Sequence, residues 1–172
     1  MSRASQPVRS IVVVAGVSGV GKTTVGRIVA HLLGVPFADA DDYHSDAARA
    51  LMADGTPLTD ADRAPWLARL AALIASWQEA QSGGVLACSA LKPDYRRVLS
   101  EAAGHVRFVH LTADTDVLAD RLSERSDHFF PPHLLQSQLD TLDAQGVPTV
   151  DAASGSPDEV ARAVVEVVRA GE

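Results

Sequence analysis

The sequence predicts an α/β fold with a five-stranded parallel sheet packed between two helical layers. Three observations carry this prediction. Apolar, β-branched runs alternate with amphipathic helical patterns, as strands joined by crossover helices do. The first run leads directly into Gly16-Val-Ser-Gly-Val-Gly21-Lys22-Thr23, which matches G-x-x-x-x-G-K-[ST] in the strand–loop–helix setting that the motif requires. The chain has 172 residues, 47% of them hydrophobic, which suits one globular core. Together these describe a three-layer P-loop NTPase.

The elements follow in order. Residues 10–15 read as a buried strand and 22–33 as the first helix. A short second strand over 35–39 ends in acid. Helical patterns cover 46–54, stopped by Gly55 and Pro57, and 62–81, where Leu67, Leu70, Leu73, Ile74 and Trp77 share one face. The third strand is expected at 85–89, a helix at 94–103 and the fourth strand at 106–111. Helices are expected at 116–124 and 132–142, a fifth strand at 149–151, and a closing amphipathic helix at 157–170 with Pro157 in its first turn. Residues 1–9 read as a flexible tail and 10–172 as a single domain, without repeat or linker.

Composition excludes several functions. A net charge of −7 argues against a general nucleic-acid or membrane-surface binder, because neither attractive field is present. The single cysteine, Cys88, cannot form an intrachain disulfide and fits a reducing compartment. The first nine residues lead into the strand itself, with no apolar secretion segment between, and no run is long enough to span a membrane. A cytoplasmic location is expected. Among 13 arginines stand only two lysines, Lys22 and Lys92, so an ammonium at Lys92 invites a functional reading.

The phosphate loop explains itself physically. Gly16, Gly19 and Gly21 allow successive N–H groups of Gly16, Val17, Ser18, Gly19, Val20, Gly21, Lys22, Thr23 and Thr24 to turn inward. The helix N-terminus adds partial positive charge. Lys22 is expected at the β- and γ-phosphates, and the Thr23 hydroxyl on Mg²⁺.

In a parallel sheet the ligand crevice lies beyond the carboxyl ends of the strands. Asp39-Ala-Asp41-Asp42-Tyr43-His44 follows the second strand. One carboxylate there can help hold Mg²⁺ and another can accept the proton of an attacking hydroxyl. After the third strand, Ser89 can bond a polyol hydroxyl, while Lys92 and Arg96 can hold an anionic group. Cys88 ends a buried strand and reads as a core residue. Arg121 and Arg125 share one helical face before an aromatic loop, which suits a lid over 121–133 that closes on nucleotide phosphates. His44 and His128 lie in these site loops, and His110 alternates along a strand as a structural residue. No histidine shows metal-ligand spacing. Adenine contacts are expected from the lid and the loop around 152–157.

These segments resemble the small bacterial-type gluconokinases, P-loop enzymes related in fold to shikimate and nucleoside-monophosphate kinases. The resemblance runs from Ile11 to about Leu142. Its most specific parts are Asp62-Arg63-Ala-Pro65-Trp66-Leu67 and Cys88-Ser-Ala-Leu-Lys92. Gly55-Thr-Pro-Leu58, Tyr95-Arg96, His128-Phe-Phe130 and Leu134-Leu-Gln-Ser-Gln138 add to it. It implies ATP-dependent phosphorylation of D-gluconate at the 6-hydroxyl, a nucleoside-monophosphate-kinase-like architecture with a mobile lid, and a homodimer. It also implies that Asp41 faces the acceptor hydroxyl and Asp39 the metal. Arg63 would hold the substrate carboxylate, a role that suits a planar guanidinium. Lys92, Tyr95 and Arg96 would complete the acceptor wall. The chain departs from the family pattern at Ala40, Ser45, Ala48 and Leu51, where Gly, Pro, Asn and Lys are usual. Two polar groups beside the acceptor pocket are thereby lost, so a related aldonic acid is an alternative acceptor. A kinase for a shikimate-like acid is another alternative, and a nucleotide-dependent regulatory module a third. A GTPase-type switch is disfavoured, because Asp143-Ala-Gln-Gly146 follows a helical pattern and no N-K-x-D is present.

Overall fold

The computed structural model describes residues 9–124 and 132–171. The expected tail, apart from Arg9, lies outside the described residues, as does the centre of the expected lid with Arg125 and His128.

Strands β1 (Ile11–Ala15), β2 (Phe37–Asp39), β3 (Gly84–Ala87), β4 (Val106–Thr112) and β5 (Thr149–Asp151) form a parallel sheet in the order β2-β3-β1-β4-β5. The chain fills one side of β1 and then crosses to the other. β1 therefore stands at the point where strand order reverses, and a crevice is expected beyond its carboxyl end. The phosphate loop begins there.

Every residue of β1 is buried, because helices cover both faces of the sheet. Val12 and Val14 belong to a core shared with α1 (Lys22–Leu33) and α7 (Pro157–Ala170), through Val25, Val29, Val160 and Val164. Ile11, Val13 and Ala15 point the other way, toward Trp66, Leu70 and Ile74 of α3 (Asp60–Glu79) and Leu99 of α4 (Pro93–Glu101). The approach on that face is tight at Gly84, where a Cβ would stand 2.3 Å from the Trp77 ring. Helices α2 (Asp46–Ala53), α5 (Thr115–Ser123) and α6 (Pro132–Thr141), with a 3₁₀ turn at Ala40–Tyr43, complete the layers. Among the described residues no helix is long and apolar enough to cross a membrane.

Several boundaries shift by one or two residues from the sequence expectation, and two of the shifts have a clear local reason. Helix α3 starts at Asp60 rather than 62, because Thr59 caps it. The Thr59 Oγ1 accepts from the Asp62 N–H at 3.2 Å and the Asp62 carboxylate accepts from the Thr59 N–H at 2.8 Å, a capping box. Asp60 and Arg63 thereby share the first helical turn. Strand β2 begins at Phe37 rather than 35, after Pro36, which has no N–H to give to a ladder.

Candidate active site

Gly16, Gly19 and Gly21 all take positive φ, at 147°, 85° and 103°. At Gly16 a side chain is excluded outright: its Cβ would lie 2.8 Å from the Leu111 carbonyl oxygen of β4. The loop so formed places Lys22 at the first residue of α1, its Nζ donating to the Val17 carbonyl at 2.9 Å. One residue on, Thr23 Oγ1 donates to Asp39 Oδ2 at 2.5 Å. The other oxygen of that carboxylate accepts from the Asp41 N–H at 2.9 Å and caps the 3₁₀ turn. Asp39 thus ties the end of β2 to the start of α1. The adjoining hydroxyl and carboxylate form a small set of hard oxygens. That fits a magnesium ion, which keeps most of its shell for water and phosphate oxygens.

Asp41 follows Asp39 on the 3₁₀ turn. Burial pushes its carboxyl above the ordinary range, the nearby Lys22 ammonium opposes this, and Asp39 and Asp42 reinforce the rise. A carboxyl so placed beside the phosphate loop can act as a base near neutral pH. The turn is held from α3: Trp66 Nε1 donates to the Ala40 carbonyl at 2.7 Å and Arg69 Nε to the Tyr43 carbonyl at 2.7 Å. His44 stacks on the Trp66 ring, with centroids 4.6 Å apart. Burial and the positive field of Arg49, Arg63 and Arg69 lower the His44 pKa to about 4, so its ring is neutral at physiological pH.

One turn before Trp66, Arg63 Nη1 donates to the Tyr95 hydroxyl at 3.0 Å. Tyr95 in turn donates to Asp60, which also accepts from Lys92 Nζ at 2.9 and 3.2 Å. The Tyr95 and Lys92 hydrogen bonds hold the Asp60 carboxyl below its usual range, and Asp60 raises Lys92. The structure therefore brings together Arg63, Tyr95 and Lys92 of the expected acceptor wall. Arg96 is arranged differently. It is buried, with Nη1 on the Ala90 carbonyl at 3.0 Å, behind the β3–α4 connection. Ser89 is half-buried where β3 ends, its carbonyl accepting from the Gly16 N–H at 3.4 Å. Cys88 is fully buried and its thiol is pushed up to about 12, which leaves it inert as a nucleophile.

On the opposite side of the phosphate loop lies a cavity of about 320 Å³, lined by Gly19, Gly21, Thr24, Arg121, Ala152 and Pro157. Arg121 forms its wall. Its guanidinium donates to the Val20 and Ala152 carbonyls, both at 3.1 Å, and so joins the loop to the β5–α7 connection. The sequence expects Arg121 at the phosphates; the structure engages it with backbone beside a cavity that suits a nucleotide base.

Asp60, Trp66 and Gln138 take part in this site without a role that their local sequence announces. Asp60 and Arg63 sit three apart, a spacing that signals a shared face only once the helix start at Asp60 is known. Gln138 stands in a segment that carries the family resemblance, but nothing in the sequence attaches a contact to it. It reaches Ser18 across 120 positions of sequence.

Known proteins are similar to this chain in sequence and fold. Residues 18–168 match the family model described as shikimate kinase. The gluconokinase of Gluconobacter oxydans is 48% identical over 134 residues, covering 78% of this chain and 75% of that protein. The thermoresistant gluconokinase of Escherichia coli is 37% identical over 166 residues, covering 94% and 95%. A crystal structure of a gluconokinase from Sinorhizobium meliloti superposes with a TM-score of 0.84 at 40% identity, covering 95% of this chain and 94% of that one. With a phosphate loop, an acidic turn beside it and an arginine–tyrosine cluster carried on the same parallel sheet, this chain belongs to the gluconokinase family, within the wider shikimate kinase family of P-loop proteins.

Proposed function

We propose that the protein transfers the γ-phosphoryl group of ATP to the 6-hydroxyl of D-gluconate, releasing ADP and 6-phospho-D-gluconate. The observation that carries this reading is the position of Asp41. It lies within electrostatic reach of Lys22 on one side, and its turn is docked on α3 one helical turn from Arg63 on the other. Lys22 and the N–H groups of Val17, Gly19, Gly21, Lys22, Thr23 and Thr24 hold the triphosphate; those of Gly16, Ser18 and Val20, expected there too, are taken by the Ser89 carbonyl, the Gln138 amide and the Val17 carbonyl. Asp41 orients the acceptor hydroxyl and takes its proton. A guanidinium has five N–H donors, so Arg63 can bond Tyr95 through Nη1 and still present donors to a carboxylate. His44 and Lys92 flank that position and Ser89 borders it just beyond β3, while Arg96, buried on the Ala90 carbonyl, supports the β3–α4 connection from behind. Thr23 and Asp39 hold Mg²⁺, which neutralises charge on the phosphates.

Two of the four departures from the family pattern, Ser45 and Ala48, are absorbed locally. Ser45 caps α2, its Oγ accepting from the Ala48 N–H at 3.1 Å, and Ala48 is buried. The same proposal has residues 10–172 working as one kinase domain, with a lid at 121–133 bringing Arg121, Arg125 and His128 to the ligands. It also has the protein acting as a homodimer in the cytoplasm.

An ADP-release assay with gluconate, other aldonates, shikimate and neutral sugars tests the reading. Gluconate is expected to give the highest kcat/KM. A higher value for shikimate or another aldonate overturns the acceptor assignment, and no ADP release with any acid overturns the kinase.

A further inference from the structure

Helix α6 makes a contact with the phosphate loop that none of the roles above uses. Gln138 Oε1 accepts from the Ser18 N–H at 2.7 Å, and Gln138 Nε2 donates to Ser18 Oγ at 3.0 Å. The same peptide plane is gripped at its other polar end, where the Val17 carbonyl accepts from Lys22 Nζ. The two grips differ in what a nucleotide does to them. Phosphates draw the Lys22 ammonium toward themselves and take a charge-assisted bond away from Val17. The Ser18 N–H is already occupied by an amide oxygen, so the Gln138 grip survives nucleotide entry.

Gln138 is also presented from a seated element. Leu134 and Leu135 of α6 are buried, and Leu135 packs in the same core as Val17 and Val20 of the loop. The Asp143 N–H, just beyond α6, donates to the Leu91 carbonyl at 2.9 Å. At the other end of the helix, His133 Nε2 lies 2.6 Å from the Gly55 carbonyl oxygen, between α2 and α3. The amide is thus held relative to both the sheet and the acceptor-side loop.

We propose that Gln138 is a positioning residue for phosphoryl transfer. It holds the Val17–Ser18 peptide plane so that Lys22 leaves Val17 for the phosphates while the loop keeps its inward-facing N–H groups. The proposal rests on the ATP half of the functional reading and is independent of the acceptor.

Two variants test it. Gln138→Leu removes both bonds at similar volume; Gln138→Asn keeps the amide but is one methylene too short to reach, and decides the matter where the leucine variant fails to fold. Binding of MgATP is measured calorimetrically without acceptor, alongside melting temperature and both KM values. The expected result is a folded variant whose MgATP Kd and ATP KM both rise about tenfold, because the loop is no longer held ready for the phosphates, with the KM for gluconate within about twofold of wild type. A folded variant whose MgATP Kd stays within twofold overturns the proposal. So does a fall in kcat with both KM values unchanged, or a parallel rise of both, since a merely structural role gives those patterns. If gluconate proves not to be the acceptor, the calorimetric comparison still decides the role of Gln138.

Discussion

The Asp41 carboxyl is pulled in opposite directions: loss of hydration favours its protonated form and the Lys22 ammonium favours its ionised form. A base for an alcohol needs more proton affinity than an exposed carboxylate has, and the burial of Asp41 acts in that direction. Asp41→Asn keeps the size and removes the proton acceptor. Its kcat is expected to fall by about 10²–10⁴-fold with KM for ATP little changed, measured by steady-state ADP release. The fold is expected to be unharmed, because a desolvated charge is removed and the Asp41 N–H still caps onto Asp39. An Asn variant with more than a tenth of wild-type kcat would remove Asp41 from the base role. The residue scale is also where local sequence is most informative. Gly16 to Thr23 are consecutive, so their geometry and their chemistry are written in one stretch.

Helix α3 does two jobs from adjacent turns. Its first turn carries Asp60 and Arg63 into the polar cluster, and its second turn uses Trp66 to hold the backbone of the Asp41 turn. Trp66 is buried, stacks on His44 and gives its indole N–H to Ala40. Trp66→Phe keeps an aromatic ring for the stack but leaves the Ala40 carbonyl without that donor. A loss of about 1–3 kcal/mol in stability is expected from denaturant unfolding, together with a larger rise in KM for gluconate than for ATP. Equal effects on both substrates would detach Trp66 from the acceptor side. At this scale the sequence is only partly legible. The bounds of α1 and α7 follow from their apolar periodicity, and both elements match expectation at 22–33 and 157–170. The start of α3 was misplaced by two residues, because it depends on a reciprocal Thr59–Asp62 cap rather than on periodicity. That shift hid the fact that Asp60 and Arg63 share one helical turn and meet the same Tyr95 hydroxyl.

Across the whole molecule, the sheet buries a titratable group under the site. His110 lies in β4 at 2% exposure, and burial, with Arg96 and Lys22 nearby, lowers its pKa to about 4 from an ordinary 6.5. The unfolded chain then binds a proton between those values that the folded chain refuses. Stability contributed by neutral His110 is full above pH 6.5 and is lost as pH falls toward 4; His44 acts in the same sense, and Asp41, with its raised carboxyl, in the opposite one. Unfolding free energy is expected to drop by an amount on the order of 1–3 kcal/mol between pH 6.5 and 4, with a shallower slope in His110→Gln. An unchanged slope in that variant would show that His110 titrates normally in the fold. The sequence by itself determined the alternating strands and helices, the phosphate loop and the acids that follow β2, because each is encoded by neighbours within a turn or a strand. The tertiary structure alone decided which distant groups meet. It put Gln138 on Ser18, joined Arg63 to Tyr95 and Tyr95 to Asp60, turned Arg96 into the interior and set Arg121 against the Val20 and Ala152 carbonyls. Those contacts depend on strand order and helix seating, which arise from burial summed over the whole core and leave no mark in any single stretch of sequence.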